Sequence, residues 1–224
     1  MYPAFTVPFN GERRVRVYVP SKIEARAPVL VLFDGQNIFD DASSYSGGWH
    51  ADRAVERLPS TVRRPIIVGV DNGGGARIHE LWQGLDPLLR CIVDEVLPGL
   101  AERCPVEQGC VIGGSSMGGL ASLAALIRYP DVFRGAMCMS PSIWMAQPAI
   151  FTEVRSRPIP LTAKLYLDVG GRESAAMQHH ATGMASLLAS RGIEVMWRPD
   201  KRGRHHERHW RRRLPKALKF LFRR

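Results

Sequence analysis

The stretch CVIGGSSMGGLAS, residues 110–122, decides the fold of this chain. It opens with an apolar run typical of a buried strand and closes with small and apolar residues that favour a helix. Between them, residues 114–118 read G-x-S-x-G with Ser116 at the centre, whereas Ser115 has Met117 where its second glycine would stand. The pattern predicts a tight strand-to-helix turn that exposes the Ser116 hydroxyl. The alternative interpretation is a glycine-rich turn without any chemistry.

Apolar runs and helical patterns alternate along the rest of the chain. The predicted strands lie at residues 14–20, 28–34, 64–71, 110–115, 135–140, 164–170 and 193–199, and the predicted helices lie at residues 86–104, 117–129, 174–191 and 206–222. Short continuous apolar runs suit strands that are buried on both faces, and their alternation with helices predicts a mainly parallel sheet with helices on both faces. Because the sequence has no repeats and no long linkers, residues 1–224 are expected to form one α/β domain.

The composition argues against several classes of protein. Apolar residues make up 45% of the chain, and no apolar run approaches the roughly 20 residues that a membrane helix requires. The first residues do not show the basic segment and apolar stretch of a signal peptide. The four cysteines form no C-x-x-C pair, which argues against a zinc finger or a disulfide framework. We therefore expect free thiols in a reducing cytoplasm, and no membrane partner.

A serine hydroxyl is a weak nucleophile unless a base removes its proton. In the fold that the turn predicts, the chain order is serine, acid, histidine. The loop after the last predicted strand offers His205 and His206 as the base. The penultimate strand and its loop offer Asp168 and Glu173 as the acid. Glu173 is preferred, because it lies on the loop at the carboxyl end of the strand, whereas Asp168 lies within the strand.

Acyl transfer also requires two N–H donors that converge on the developing oxyanion. One candidate is the backbone N–H of Met117, directly after the serine, and the other is that of Gln36, in the turn after the strand at 28–34. The Asp-Gly pair before Gln36 is also typical of an ordinary turn. Residues 206–209 read H-E-x-H rather than H-E-x-x-H, so the spacing does not fit a zinc site. Neither a metal nor an organic cofactor is expected.

The formal net charge of +10 is concentrated at the C-terminal end. Residues 198–224 hold twelve Lys or Arg and two Asp or Glu, whereas the rest of the chain holds nineteen of each. Apolar positions recur there at helical spacing, at Trp210, Leu214, Ala217 and Leu221. The spacing predicts a helix packed on the core, interrupted or kinked at Pro215. The charged residues expected to face water are Arg211, Arg212, Arg213, Lys216 and Lys219. A basic arm that binds nucleic acid is the alternative.

Six segments resemble, in the same order, blocks of the putative-esterase family of α/β-hydrolases, and the resemblance covers residues 12–222. They are VLVLFDGQNIFD (29–40), IIVGVDNGGGARIHE (66–80), GGSSMGG (113–119), RYPDVFRGAMCMSPSIW (128–144), LYLDVGGRE (165–173) and GRHHERHWRRRLPKALKFLF (203–222). That family includes enterochelin esterase, S-formylglutathione hydrolase, feruloyl and acetyl-xylan esterases, and mycolyltransferases. The resemblance implies an α/β-hydrolase fold with a mainly parallel central sheet.

The resemblance also implies roles for individual residues. The implied triad is Ser116, His205 and Glu173, with an oxyanion hole from the backbone of Gln36 and Met117. Trp144 matches an aromatic residue that flanks the substrate in relatives, and a core aromatic is the alternative for it.

Two features depart from the pattern of the family. His206 stands where relatives commonly have Asn. The segment between Glu80 and Asp86 is short, which predicts no large lid and an open pocket, and puts long-chain lipase activity in doubt.

Together these observations predict a serine esterase that hydrolyses a small-molecule carboxylic ester through a Ser-His-Glu triad and an acyl-enzyme intermediate, without a nucleic-acid partner. A thioesterase or an acyltransferase would use the same residues. A non-catalytic protein of the same fold that binds nucleic acid through the basic C-terminal helix is a further alternative.

Overall fold

The computed structural model describes residues 2–224, with side chains from Ala4 onward. Eight strands form one sheet. They are β1 (Tyr2–Pro8), β2 (Glu12–Tyr18), β3 (Val29–Phe33), β4 (Ile66–Val70), β5 (Cys110–Ser115), β6 (Phe133–Met139), β7 (Lys164–Gly170) and β8 (Glu194–Asp200). The seven strands expected from the sequence are all present, and only β1 was not anticipated.

Six neighbouring strands run parallel, in the order β4-β3-β5-β6-β7-β8. At one edge β2 pairs antiparallel with β4, and β1 pairs antiparallel with β2. The carboxyl ends of parallel strands lie at one edge of a sheet, so the loops after β3, β5, β6, β7 and β8 meet there. The expected α/β-hydrolase fold, with its mainly parallel sheet, is confirmed.

Successive residues of the central strands face opposite sides of the sheet, so the sheet has an apolar core on each face. Val29 and Val31 of β3 belong to one core, whereas Leu30 and Leu32 belong to the other. The helices over the first core include α3 (Leu85–Cys91), α5 (Met117–Arg128), α6 (Ala149–Ser156) and α7 (Ala175–Ser190). The second core is covered by α1 (Ala51–Glu56) and α8 (Glu207–Leu221).

The long helix predicted at 86–104 consists of three successive segments. After α3, a π-helical segment at Ile92–Val96 leads into α4 (Leu97–Ala101). Pro98 lies in the first turn of α4, where a missing N–H is tolerated. The apolar spacing predicts a helix here but does not reveal the change in winding. The short helices α1, α2 (Arg77–Glu80) and α6 were also not anticipated, because so few turns give no clear periodicity.

The C-terminal helix corrects two expectations. It runs from Glu207 to Leu221 without interruption, so the predicted interruption at Pro215 is wrong, while a kink there stays a prediction. Trp210 and Leu214 are buried as expected, but Arg213 is only 4% exposed rather than facing water. The physical reason is an acidic partner beneath the helix: Nη1 of Arg213 lies 3.2 Å from Oδ1 of Asp168. Residues 211, 212, 216 and 219 are exposed, as predicted.

Candidate active site

Ser116 occupies the strained turn between β5 and α5 that the glycine pattern predicts. Its φ of 57° and ψ of −122° are unusual for a residue with a side chain. A Cβ atom on Gly114 would lie 2.8 Å from the carbonyl carbon of Gly118, so the glycines on both sides of the serine let strand and helix approach closely. The Ser116 N–H donates to the carbonyl oxygen of Met139 at 2.9 Å. The turn is thereby fixed to β6 at the carboxyl edge of the sheet.

The loop after β8 brings His205 to this serine. Nε2 of His205 lies 2.9 Å from Oγ of Ser116, and Nδ1 lies 3.4 Å from Oε2 of Glu173. The loops that carry the histidine and the glutamate touch at Gly170 and Gly203, where a Cβ atom on Gly170 would lie 2.6 Å from the Gly203 carbonyl carbon. The structure therefore brings together the serine, histidine and glutamate that the sequence singled out.

The side chain of Glu173 is completely buried, and its two oxygens have different partners. Oε1 accepts hydrogen bonds from the Ser140 hydroxyl at 2.6 Å and from the Gly170 N–H at 3.1 Å, whereas Oε2 faces His205. Burial by itself raises the pKa of Glu173. The hydrogen bonds with His205 and Ser140 outweigh that effect, so the pKa lies below its ordinary value. The carboxylate is therefore the stable form at neutral pH.

Asp168, the alternative acid, lies beside Arg213 rather than at the histidine. It is completely buried in β7, and it accepts hydrogen bonds from the Ser140 N–H at 2.9 Å and from the Tyr166 hydroxyl at 3.0 Å. Burial raises the pKa of Asp168 to about 6 in spite of these donors and of the adjacent Arg213 guanidinium. The geometry thus favours Glu173 as the acid, in line with the preference drawn from the sequence.

His206, the alternative base, lies directly before α8 as its N-cap residue. Its Nδ1 accepts the Arg208 N–H at 3.2 Å, so its ring caps the helix. The neighbouring His205 ring instead lies edge-on to Trp210, with the ring centroids 4.9 Å apart. Between the two histidines, only His205 contacts the serine among the described hydrogen bonds.

Three further polar residues lie around the site, although the sequence pattern did not assign them to it. Oγ of Ser142 lies 3.2 Å from Oγ of Ser116. Ser140 binds Glu173 and adopts a positive φ of 42°. Arg213 contacts both Ser140 and Asp168. The available signal for the two serines was their place directly after β6, since polar residues at the carboxyl ends of parallel strands commonly belong to a site.

Gln36 and Met117 carry the two backbone N–H groups expected to face an oxyanion. Gln36 lies in a 3₁₀ turn at Gly35–Asn37 directly after β3, and Met117 is the first residue of α5. In the described chain, neither N–H donates to a turn, a loop or a neighbouring element. The Gln36 side chain accepts the Asn72 N–H at 3.2 Å through Oε1. Gln36 also lines the cavity over Ser116, whereas Met117 is buried directly after the serine.

Trp144 lies in a 3₁₀ turn at Ile143–Ala146 and is 49% exposed. This exposure rules out the alternative of a core aromatic. Trp144 does not line the cavity at Ser116, so a contact with substrate stays a prediction.

A cavity of about 690 Å³ opens over Ser116 and His205. Its wall includes an ion-paired cluster in which Arg77 binds both carboxylate oxygens of Asp34, at 2.6 and 2.7 Å, and Asn72 donates to the same carboxylate at 2.6 Å. The other lining residues are Gln36, Asn37, Tyr45, Ser46, Gly74, Ser115, His206, Glu207 and Trp210. Many of the lining residues carry hydrogen-bonding groups, which could fix the orientation of a polar ligand.

Two kinds of feature are absent from the described residues. No group of three or more His, Cys, Asp or Glu side chains there is arranged to hold a metal ion. No helix from residue 2 to residue 224 is both long and apolar enough to cross a membrane.

A serine held in a strained strand-to-helix turn, with a histidine against its hydroxyl, is the arrangement typical of serine hydrolases of the α/β-hydrolase fold. The model of the Putative esterase family matches residues 6–221, and the chain belongs to that family. It is therefore a carboxylic-ester hydrolase.

Several named proteins are similar to this chain. The Iron(III) enterobactin esterase of Dickeya dadantii is 28% identical over 66% of this chain and 34% of its own length. The BES protein of Bacillus cereus has a TM-score of 0.82 and 19% identity over 98% of this chain and 94% of that one. The enterobactin esterase FES of Shigella flexneri, solved with enterobactin, has a TM-score of 0.80 and 23% identity over 97% of this chain and 58% of that one. This chain thus spans about a third of the Dickeya enzyme and 58% of the Shigella enzyme.

Proposed function

We propose that this protein hydrolyses a small-molecule ester with Ser116 as nucleophile, His205 as general base and Glu173 as the acid of the triad. The contact of 2.9 Å between Nε2 of His205 and Oγ of Ser116 carries the proposal. A general base must lie within hydrogen-bond reach of the proton that it removes, and this one does. The buried carboxylate of Glu173 faces Nδ1, where it would orient the ring and stabilise the imidazolium.

The reaction then proceeds in two acyl-transfer steps. Oγ of Ser116 attacks the ester carbonyl carbon while its proton passes to Nε2 of His205. When the tetrahedral intermediate collapses, the bond to the leaving oxygen breaks, and the imidazolium returns the proton to that oxygen. Water next attacks the acyl-enzyme with the same base, and the acid product leaves as Ser116 recovers its proton. Every proton in this cycle moves through one nitrogen atom.

The oxyanion in both steps would be stabilised by the backbone N–H groups of Gln36 and Met117. Both follow strands that end at the same edge of the sheet, and neither is used by a turn or by a neighbouring element in the described chain. Preorganised donors of this kind stabilise the charge that develops in the transition state more than the neutral carbonyl of the substrate.

The substrate is proposed to be a polar ester. Only four residues, 81–84, separate α2 from α3, so no lid is inserted there to cover the cavity. Enterobactin is the first natural ester to test because two relatives are named enterobactin esterases, and feruloyl esters follow because a further structural relative is named a ferulic acid esterase.

All four cysteines are buried free thiols, which supports the cytoplasmic location expected from the sequence.

Labelling of the serine tests this proposal. A fluorophosphonate probe should label the wild-type chain, and Ser116→Ala should remove both the label and, by several orders of magnitude, the hydrolysis of p-nitrophenyl acetate. Ser115→Ala is the matched control, because the neighbouring Ser115 ends β5 and should keep most of the activity. Equal turnover by Ser116→Ala and the wild type would exclude the mechanism. A panel of p-nitrophenyl esters of rising chain length would then define the acyl group.

A further inference from the structure

A buried arginine lies behind the carboxylate that faces His205. The side chain of Arg213 is only 5% exposed, and Nη1 lies 3.2 Å from Oδ1 of Asp168. Nη2 lies 2.9 Å from Oγ of Ser140 and 4.0 Å from Oε1 of Glu173. The guanidinium thus touches the hydroxyl that binds the glutamate, and Arg213 does not line the cavity over Ser116.

The hydrogen bonds of Ser140 have only one consistent arrangement. Its Oγ lies 3.1 Å from Nε1 of Trp210 and 2.9 Å from Nη2 of Arg213. Indole and guanidinium groups only donate, so they occupy the two lone pairs of the hydroxyl oxygen. The single hydroxyl hydrogen must therefore point at Oε1 of Glu173, 2.6 Å away. Arg213 and Trp210 together fix the direction in which Ser140 donates.

This arrangement determines how the glutamate faces the histidine. Oε1 of Glu173 is held by the Ser140 hydroxyl and the Gly170 N–H, so Oε2 is the oxygen left for His205. We propose that Arg213 is a positioning residue that acts through Ser140 to hold the Glu173 carboxylate in place against His205. The inference rests on the proposed Ser-His-Glu function.

The energetics of the ion pair with Asp168 favour a role of Arg213 in positioning rather than in stability alone. Asp168 supplies the counter-charge, and it is itself held by the Ser140 N–H and the Tyr166 hydroxyl. Removing two charges from water costs about as much as their attraction returns, so a buried ion pair is weak evidence for a role in stability. Moreover, Nε and Nη1 of Arg213 have no aligned hydrogen bond in the described structure. The well-formed contact of the guanidinium is the one to Ser140.

A double-mutant cycle with p-nitrophenyl acetate tests the proposal. Arg213→Met should lower kcat on the order of tenfold to a hundredfold, as is typical for partners that orient a functional group from behind, and it should leave KM nearly unchanged. In the Glu173→Gln background the same substitution should cost less than about twofold, because the residue through which it acts is already disabled. Arg212→Met is the matched control: it lies one position earlier on α8, is exposed, and should leave both constants unchanged.

A second variant is the control for misfolding, because Arg213→Met leaves the buried Asp168 without a counter-charge. The variant Asp168→Asn/Arg213→Met removes both charges, and a cooperative thermal transition would show that it is folded. We expect it to show the same loss in kcat, and full activity in that folded variant would overturn the inference. An equal effect of Arg213→Met with and without Glu173→Gln would also overturn it. In either case, loss of activity in Ser116→Ala would still support the proposed esterase function.

Discussion

Oγ of Ser116 and Nε2 of His205 lie 2.9 Å apart, although 89 positions separate the two residues in the chain. They follow β5 and β8, which are not neighbours, because β6 and β7 lie between them in the sheet. The intervening strands are followed by Ser140 and Glu173, so four neighbouring strand ends supply one hydrogen-bonded chain, which runs from Ser140 through Glu173 and His205 to Ser116. The parallel sheet is thus what converts a long separation in sequence into a short proton-transfer distance.

The two adjacent histidines should differ sharply when replaced. His205→Ala should reduce ester hydrolysis about as much as Ser116→Ala, because a serine without its base is a weak nucleophile. His206→Ala should keep substantial turnover, since its ring caps α8 and accepts the Arg208 N–H. Steady-state kinetics with p-nitrophenyl acetate would measure both. If His206→Ala were the more damaging change, His206 would replace His205 as the proposed base.

Much of the site could be predicted from the sequence because its parts obey local rules. The strained serine turn needs small residues on both sides, and Gly114 and Gly118 are the residues that indicate it in the sequence. The chain order of serine, acid and histidine then limits the partners to the last two strand ends. The strands themselves were visible as apolar runs, since they are buried on both faces.

The residues behind the site could not be found in this way. Arg213 sits among other arginines on a helix whose apolar spacing places it off the buried face, and only the three-dimensional position of Asp168 explains its burial. Ser140 gains its importance from Trp210 and Arg213, which lie 70 and 73 positions later. Such contacts depend on tertiary packing, and no local pattern encodes them.

The roles of the backbone N–H and of the side chain of Gln36 can be tested separately. If the N–H alone stabilises the oxyanion, Gln36→Ala should reduce kcat by less than about tenfold, losing only the side-chain bond to the Asn72 N–H. Gln36→Pro removes the N–H and should cost on the order of a hundredfold or more. Kinetics should be paired with thermal unfolding, because proline can also disturb the turn. A large loss of activity in a fully stable Gln36→Ala variant would instead indicate a role for the side chain.

A buried ion pair near the antiparallel edge should make stability depend on pH. Arg13 donates to both oxygens of Glu80, at 2.7 and 3.0 Å, and both side chains are nearly inaccessible. Burial alone raises the pKa of Glu80, but the hydrogen bonds from Arg13 and Asn10 outweigh it and hold the pKa below the ordinary 4.5. The stabilisation is therefore complete above pH 4.5 and is lost as the pH falls through the lower, folded-state pKa.

Urea unfolding between pH 3 and pH 7 would measure this effect. Glu80→Gln should lower the free energy of unfolding by about 3–5 kcal/mol at pH 7, because it leaves the buried Arg13 charge without its partner. It should also make the decline below pH 4.5 shallower than in the wild type. Glu95→Gln is the control, since Glu95 is exposed and should change neither value. An unchanged slope in Glu80→Gln would mean that other carboxyl groups cause the acid sensitivity.

The C-terminal helix should behave as part of the core rather than as an appended basic arm. Leu214 is completely buried against the second core, so Leu214→Ala should lower the free energy of unfolding by about 2–5 kcal/mol while leaving kcat nearly unchanged. Trp210→Ala should cost a similar amount of stability and also reduce kcat, because Trp210 donates to Ser140 and packs against His205. Charge reversal at the exposed Lys216 should change neither kcat nor KM for a neutral ester at moderate salt, where surface charges are screened. Denaturant titration and steady-state kinetics on the same samples would separate the two effects. A Leu214→Ala variant as stable as the wild type would mean that the helix is not needed for the core, and would favour a separate binding role for its positive charge.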